Sequence, residues 1–187
     1  MFTLQFDGML RASASESLNQ HGLLGYGWLI QHNGREVARG FGVYLRNCGA
    51  GSNAAEYLAL IDGLEALADL RIAQEVVEIR GDAKCVIDQM SGAATVSSPL
   101  TKSLHRRARK LARVLGSVNW KWVPRRENRH ADSLSRRSFL YLPYSSRLDM
   151  DKKIQGNLQL YKGGLIPLVD LRIHSPVVAP QTHFTDH

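Results

Sequence analysis

Apolar and polar residues alternate along Phe2-Thr3-Leu4-Gln5-Phe6-Asp7-Gly8, which predicts a strand running into an Asp-Gly turn. Residues 9–22 are polar and serine-rich and read as a loop. Two apolar runs, 23–31 and 35–45, flank His32-Asn33-Gly34, and Asn-Gly between such runs predicts a tight hairpin. From Ser52 the period changes. Leu60, Leu64 and Leu67, with Tyr57 and Leu58 a turn earlier, mark one face of a long helix. A short apolar strand follows at 75–81, then a short helix closed by Gly92 and a longer amphipathic helix closed by Gly116. Residues 117–124 predict a strand with Val118, Trp120 and Trp122 on one face, packed in the core. Residues 127–140 predict a final helix. The order is βββαβααβα, an antiparallel meander followed by βα units, and so an α/β fold.

Beyond Pro143 the texture changes. Residues 144–157 read as a linker, 158–173 as a hairpin turning at Lys162-Gly163-Gly164, and the end as loose. The chain divides into a domain over 1–140 and a C-terminal extension over 141–187. Its 187 residues, 44% hydrophobic, suit one domain with an ordinary core. No apolar run reaches the roughly 18 residues of a membrane span, and the first residues lack the basic start of a signal peptide. Cys48 and Cys85 have neither zinc-ligand nor CxxC spacing, and read as reduced, buried thiols of a cytoplasmic protein.

Charge sharpens the picture. The net charge is +7, but Lys102–Arg137 alone holds twelve Lys/Arg against Glu127 and Asp132. The rest of the chain is net acidic. So concentrated a positive charge favours a polyanion, most simply nucleic acid, although a solvated helix face would share the composition.

Within and around that basic stretch, four acids stand at element ends: Asp7, Glu56, Asp82 and Asp132. Each has a plain structural use. Asp7 suits a turn, Glu56 a capping box begun at Asn53, Asp82 a helix cap, and Asp132 the positive end of a helix dipole. Jointly they suggest more. Asp7 and Asp82 follow strands at the carboxyl edge where open α/β sheets bind ligands, and two helix starts can add Glu56 and Asp132. Clustered carboxylates repel and need a counter-ion. Oxygen-only ligands select Mg²⁺ or Mn²⁺, and two such ions about 3.5–4 Å apart form the clamp of phosphodiester cleavage.

Four segments together, FDG (6–8), GSNAAEYLALIDGLEAL (51–67), VEIRGDAKCVIDQMSG (77–92) and WVPRRENRHADSLSRR (122–137), resemble type 1 ribonuclease H, over roughly residues 1–140. The likeness is to the shorter branch found in bacteria, archaea and plants. It implies the ribonuclease H-like fold, a five-stranded mixed sheet of order 3-2-1-4-5 with helices on both faces. It also implies cutting of the RNA strand of an RNA/DNA hybrid with two Mg²⁺ or Mn²⁺ ions, held by Asp7, Glu56, Asp82 and Asp132.

Substrate contacts follow from the same resemblance. Asn53, with Ser52 beside it, matches a segment that meets the minor groove, where a short amide can read the 2′-OH. Gly8 lacks a Cβ and permits close approach of a backbone. Arg125 and Arg126 are candidate phosphate contacts. The chain departs from the family pattern in three places. The loop after Asp7 is long and lacks the usual Gly/Pro-rich sequence. The basic, Trp-containing protrusion is replaced by residues 91–102, so hybrid grip is expected from Arg106, Arg107, Lys110 and Arg113. The histidine-bearing loop is missing, and His130, two residues before Asp132, should point elsewhere on a helix. Two other readings stay open: a non-catalytic nucleic-acid-binding module, and a nuclease that also cuts double-stranded RNA. Oligomeric state is not legible.

Overall fold

The computed structural model describes residues 1–12, 22–45, 51–72, 75–141 and 166–174. In chain order the elements are β1 (Phe2–Ala12), β2 (Gly22–His32), β3 (Arg35–Leu45), α1 (Ser52–Asp69), β4 (Val77–Gly81), α2 (Lys84–Ser91), α3 (Pro99–Val114), β5 (Val118–Trp122), α4 (Arg129–Arg137) and β6 (Ile166–His174). They form one mixed sheet of order β5-β4-β1-β2-β3-β6. Its first five strands reproduce the expected 3-2-1-4-5 order read from the other edge. The sixth comes from the C-terminal extension and pairs antiparallel with β3. Of the hairpin expected at 158–173, only this strand lies within the described residues.

Local chemistry sets these elements. The β2–β3 hairpin turns on Asn33 and Gly34, both at positive φ, as a two-residue turn requires. Gly92 and Gly116, also left-handed, stop α2 and α3 as expected. The Asp-Gly turn is not there. β1 runs on to Ala12, paired with β2 throughout, because β2 is equally long and supplies a partner for every residue. Asp7 therefore lies inside a strand rather than closing one.

Two helical layers cover the sheet. Leu4, Phe6 and Gly8 face α1, as Gly63 against Leu4 and Gly8 against Ala55 and Glu56 show. Helix α1 is almost wholly buried from Ala54 to Leu64, because it is covered by the sheet on one side and by α3 on the other. On the opposite face α4 crosses β2 where Gly25 and Gly27 leave room for Ser135, Leu134 and Phe139. Thr3, Gln5 and Asp7 alternate to this second face. They are buried there with Asn128, Ser135 and Ser138, so the α4–sheet interface has a polar part beside the apolar cluster of Leu29, Phe41 and Leu134.

β6 is fastened to α1 as well as to β3. Arg172 pairs with Asp62, which also accepts from the Trp28 indole, and with Glu65. The Tyr26 hydroxyl donates to Asp170. Two expectations about single residues fail. Cys85 is an exposed free thiol on the first turn of α2, not a buried one; Cys48 lies outside the described residues. Trp120 packs against the core as expected. Trp122, at the end of an edge strand, is 48% exposed.

Candidate metal centre

Parallel pairing of β1 with β4 ends at Phe6 opposite Gly81. The next residues, Asp7 and Asp82, thus stand where the two strands part. Glu56 reaches the same point from α1, which the Cβ-less Gly8 lets approach β1 closely. A Cβ on Gly8 would lie 2.1 Å from the Glu56 nitrogen, so its smallness serves helix packing. Carboxylate oxygens of Asp7, Glu56 and Asp82 all lie within 4.8 Å of one another.

Each of the three has one oxygen engaged by a neutral donor. The Gly8 N–H donates to Glu56 Oε2 at 3.0 Å. The Ser135 hydroxyl donates to Asp7 Oδ2. The Asn128 amide donates to Asp82 Oδ1 at 2.8 Å and to the Phe6 carbonyl at 2.8 Å. Such donors orient a carboxylate while leaving its second oxygen for a ligand.

The electrostatics describe a site short of positive charge. Burial, partly opposed by the Ser135 hydrogen bond and reinforced by Asp82 and Asp132, pushes the Asp7 carboxyl up to about 6. Burial and the charges of Asp7 and Asp82 raise Glu56 well above the usual carboxylate range, against the Gly8 hydrogen bond. Asp7 is 4% exposed and Glu56 9%. An all-oxygen set whose two buried members, Asp7 and Glu56, resist deprotonation fits a small divalent cation, which would replace the missing charge.

The fourth expected ligand is placed differently. Asp132 sits near Asp7 on α4 but does not belong to the 4.8 Å group. Its Oδ1 accepts from Arg125 at 2.5 Å and its Oδ2 from Arg136 at 2.9 Å. Burial disfavours the charge on Asp132, but these two arginines outweigh it and hold the carboxyl below its usual range. The basic neighbours expected to face phosphates therefore include two that turn to the acid itself.

Other expected residues scatter around the site. Glu56 is in the second turn of α1, not in a capping box, since the helix starts at Ser52 behind Gly51 and has no side-chain cap. Nor does Asp82 cap α2, where Ala83 holds the cap position. Ser52 is exposed and Asn53 half-buried, the Asn53 amide lying 3.5 Å from the Cys85 sulfur. Arg125, Arg126, Arg106 and Lys110 are exposed. Arg107 is drawn to Glu65 on α1, which argues against its expected role in hybrid grip. His130 is exposed. Two contributors escaped the sequence reading, Asn128 and Ser135. Asn128 just before a helix is a cap signal, and Ser135, three residues after Asp132, shares its helix face. Trp122 also joins the rim, its indole N–H donating to the Asp82 carbonyl at 3.0 Å.

Residues 12–138 match the family described as reverse transcriptase-like. The crystal structure of ribonuclease H1 from Halobacterium salinarum superposes with a TM-score of 0.61 at 32% identity, covering 74% of this chain and 96% of that one. This chain belongs to the ribonuclease H family. The ribonuclease H domain of a bifunctional protein from Mycobacterium tuberculosis is similar too, with a TM-score of 0.62, 27% identity, and coverage of 83% and 96%. In sequence, the ribonuclease HI of Halobacterium salinarum is 36% identical over 133 residues, 70% of this chain and 60% of that protein. The mycobacterial bifunctional protein is 35% identical over 102 residues, 54% of this chain and 28% of its own length. The chain thus spans from 28% to 60% of these curated relatives. Within this ribonuclease H domain, no helix among the described residues is long and apolar enough to cross a membrane.

Proposed function

We propose that this ribonuclease H domain is a metal-dependent endonuclease that hydrolyses the RNA strand of RNA/DNA hybrids. The observation that carries the reading is the meeting of Asp7, Glu56 and Asp82 within 4.8 Å in a chain of this family. A pure binding module has no use for three mutually repelling acids, two of them buried.

Asp7, Glu56 and Asp82 would hold Mg²⁺ or Mn²⁺, two ions in the complete site, with Asp132 as the fourth ligand. Bound there, the ions supply a nucleophilic water at neutral pH and charge neutralisation at the leaving oxygen. The chain's own groups do the rest. Gly8, Ser135 and Asn128 fix the three carboxylates by their N–H and O–H donors. Arg125, exposed and paired with Asp132, and the exposed Arg126 would attract the sugar-phosphate backbone. Asn53 and Ser52, at the start of α1, would meet the minor groove, where the 2′-OH marks the RNA strand.

The test is a labelled hybrid incubated with Mg²⁺ beside duplex RNA and duplex DNA. The expected result is cutting of the RNA strand of the hybrid, abolished in Asp82→Asn with folding intact. Binding without cutting would assign a non-catalytic module. Equal cutting of duplex RNA would widen the substrate class. Normal cutting by Asp82→Asn would remove the assignment of the site.

A further inference from the structure

β6 is the outermost strand of the sheet, and β3 is its only strand partner among the described residues. Its outer edge therefore presents a row of backbone N–H and C=O groups to which another strand can add. Edge strands are usually blunted by lysine, proline, a bulge or charge turned outward. Residues 169–173, Val-Asp-Leu-Arg-Ile, hold neither lysine nor proline, and the register shift against β3 falls before them. Their two charges are engaged on the α1 side of the chain's own sheet. Asp170 accepts from the Tyr26 hydroxyl, and Arg172 reaches Asp62 and Glu65.

The other face of this edge is apolar. Leu171 lies opposite Phe41 of β3, and Ile173 follows on the same face. Leu171 is 37% exposed and Ile173 45%. The Tyr141 ring packs on Phe41 with centroids 5.0 Å apart and is itself partly exposed. Scattered apolar residues on a surface are ordinary. A strip of them beside an open strand edge marks a contact surface.

The strand's own sequence selects the partner. Opposite residues of an antiparallel pair share a face, so two copies of β6 pair about a two-fold axis that passes through one residue. An axis at Asp170 would oppose two carboxylates, and one at Arg172 two guanidinium groups; like charges directly opposite repel. Only an axis at Leu171 sets Asp170 against Arg172 of the second copy, and does so on both sides. It also brings the two Leu171 side chains together on the apolar face. Asp170 has no salt-bridge partner within its own chain among the described residues, so the second copy supplies a cation where one is missing. β6 lies three strands from β1, about 14 Å away, and the pairing leaves the acidic cluster uncovered.

We infer that β6 is a dimerisation edge, through which two copies of this chain join their sheets antiparallel over residues 169–173, about a two-fold axis at Leu171. The inference stands apart from the nuclease reading and holds or fails without it.

The test is sedimentation velocity of the full chain from about 1 to 100 µM. The expected result is a rise from the mass of one chain to that of two across this range. Leu171→Lys sets two like charges against each other at the axis and should weaken association about tenfold or more. Circular dichroism checks its folding. If it fails to fold, Ile173→Glu replaces it, a change that faces Arg39 within the fold and should weaken association about fivefold. Register is read by oxidative cross-linking in a Cys48→Ser/Cys85→Ser background. Leu171→Cys should link two chains, because directly opposite Cα atoms lie about 4.5–5.5 Å apart. Ile173→Cys should not, because its two copies lie about 13 Å apart along the strands. A chain that stays monomeric at every concentration would overturn the proposal. So would a dimer indifferent to both substitutions, or one that links through position 173 or fails to link through position 171.

Discussion

Replacing Asp7 with Asn should stabilise the metal-free protein near neutral pH. Burial pushes the Asp7 carboxyl from 3.8 to about 6, so the folded state holds its proton more tightly than the unfolded chain. Keeping the group charged above pH 6 then costs about 3 kcal/mol. The sign follows directly. Below about pH 4 both states are protonated and there is no penalty; the penalty grows as pH rises towards 6 and is constant above it. Asn keeps the shape and can still accept from Ser135, but carries no charge. Allowing for an imperfectly satisfied amide, the gain at pH 7.5 should be about 2 kcal/mol, or roughly 4–8 °C in melting temperature for a domain of this size. Thermal melts in EDTA at pH 4 and pH 7.5 measure it. The two proteins should melt together at pH 4 and separate at pH 7.5. Added Mg²⁺ should then raise the wild type and leave the variant nearly unmoved. A variant no more stable at pH 7.5 than at pH 4, relative to wild type, would refute the reasoning.

Arg172→Ala should cost about 2–3 kcal/mol by leaving the buried Asp62 without its cation, a fall of roughly 5–10 °C in melting temperature; Asp62→Asn in the same chain should restore part of it, and hydrogen exchange should quicken across β6 and β3. Gly8→Ala drives a Cβ to 2.1 Å from the Glu56 nitrogen and should cost about 3 kcal/mol or more, seen in a urea midpoint; a neutral result would mean that α1 can retreat without loss.

The fold was legible because each strong local signal agreed with its neighbours. Asn33-Gly34 admitted only a tight hairpin, the leucines from 60 to 67 only a helix, and Gly92 and Gly116 ended helices where the left-handed region was needed. The sixth strand was half legible: 166–173 looked extended, but its pairing depends on Arg172 meeting Asp62, 110 residues away in sequence. The length of β1 was hidden because Asp-Gly is a turn signal unless a partner strand holds it straight. The site was legible as residue types in order, not as geometry. Asn128 and Ser135 carried no charge to draw attention, and Thr3, Gln5 and Asp7 alternated as though for solvent. Only the placement of α4 over Gly25 and Gly27 turned that polar face into an interior.

The polar part of that interior explains how three acids can be packed where β1 and β4 part. In an apolar layer each would need a counter-charge to remain ionised. Here Asp7, Glu56 and Asp82 each receive a single neutral donor, enough to fix orientation but too little to cancel charge, and one oxygen of each is left for a ligand. Asp132 is the contrast. Both of its oxygens are taken by guanidinium groups, so it is satisfied where the other three are not. A dication is therefore called for by the trio, while joining Asp132 to the same centre requires Arg125 and Arg136 to find other anions. Phosphates of a bound nucleic acid are anions of the right kind at that surface. On the function proposed above, the basic stretch around Asp132 and the acidic cluster beneath it would be two halves of one electrostatic balance, closed by a polyanion and a dication together.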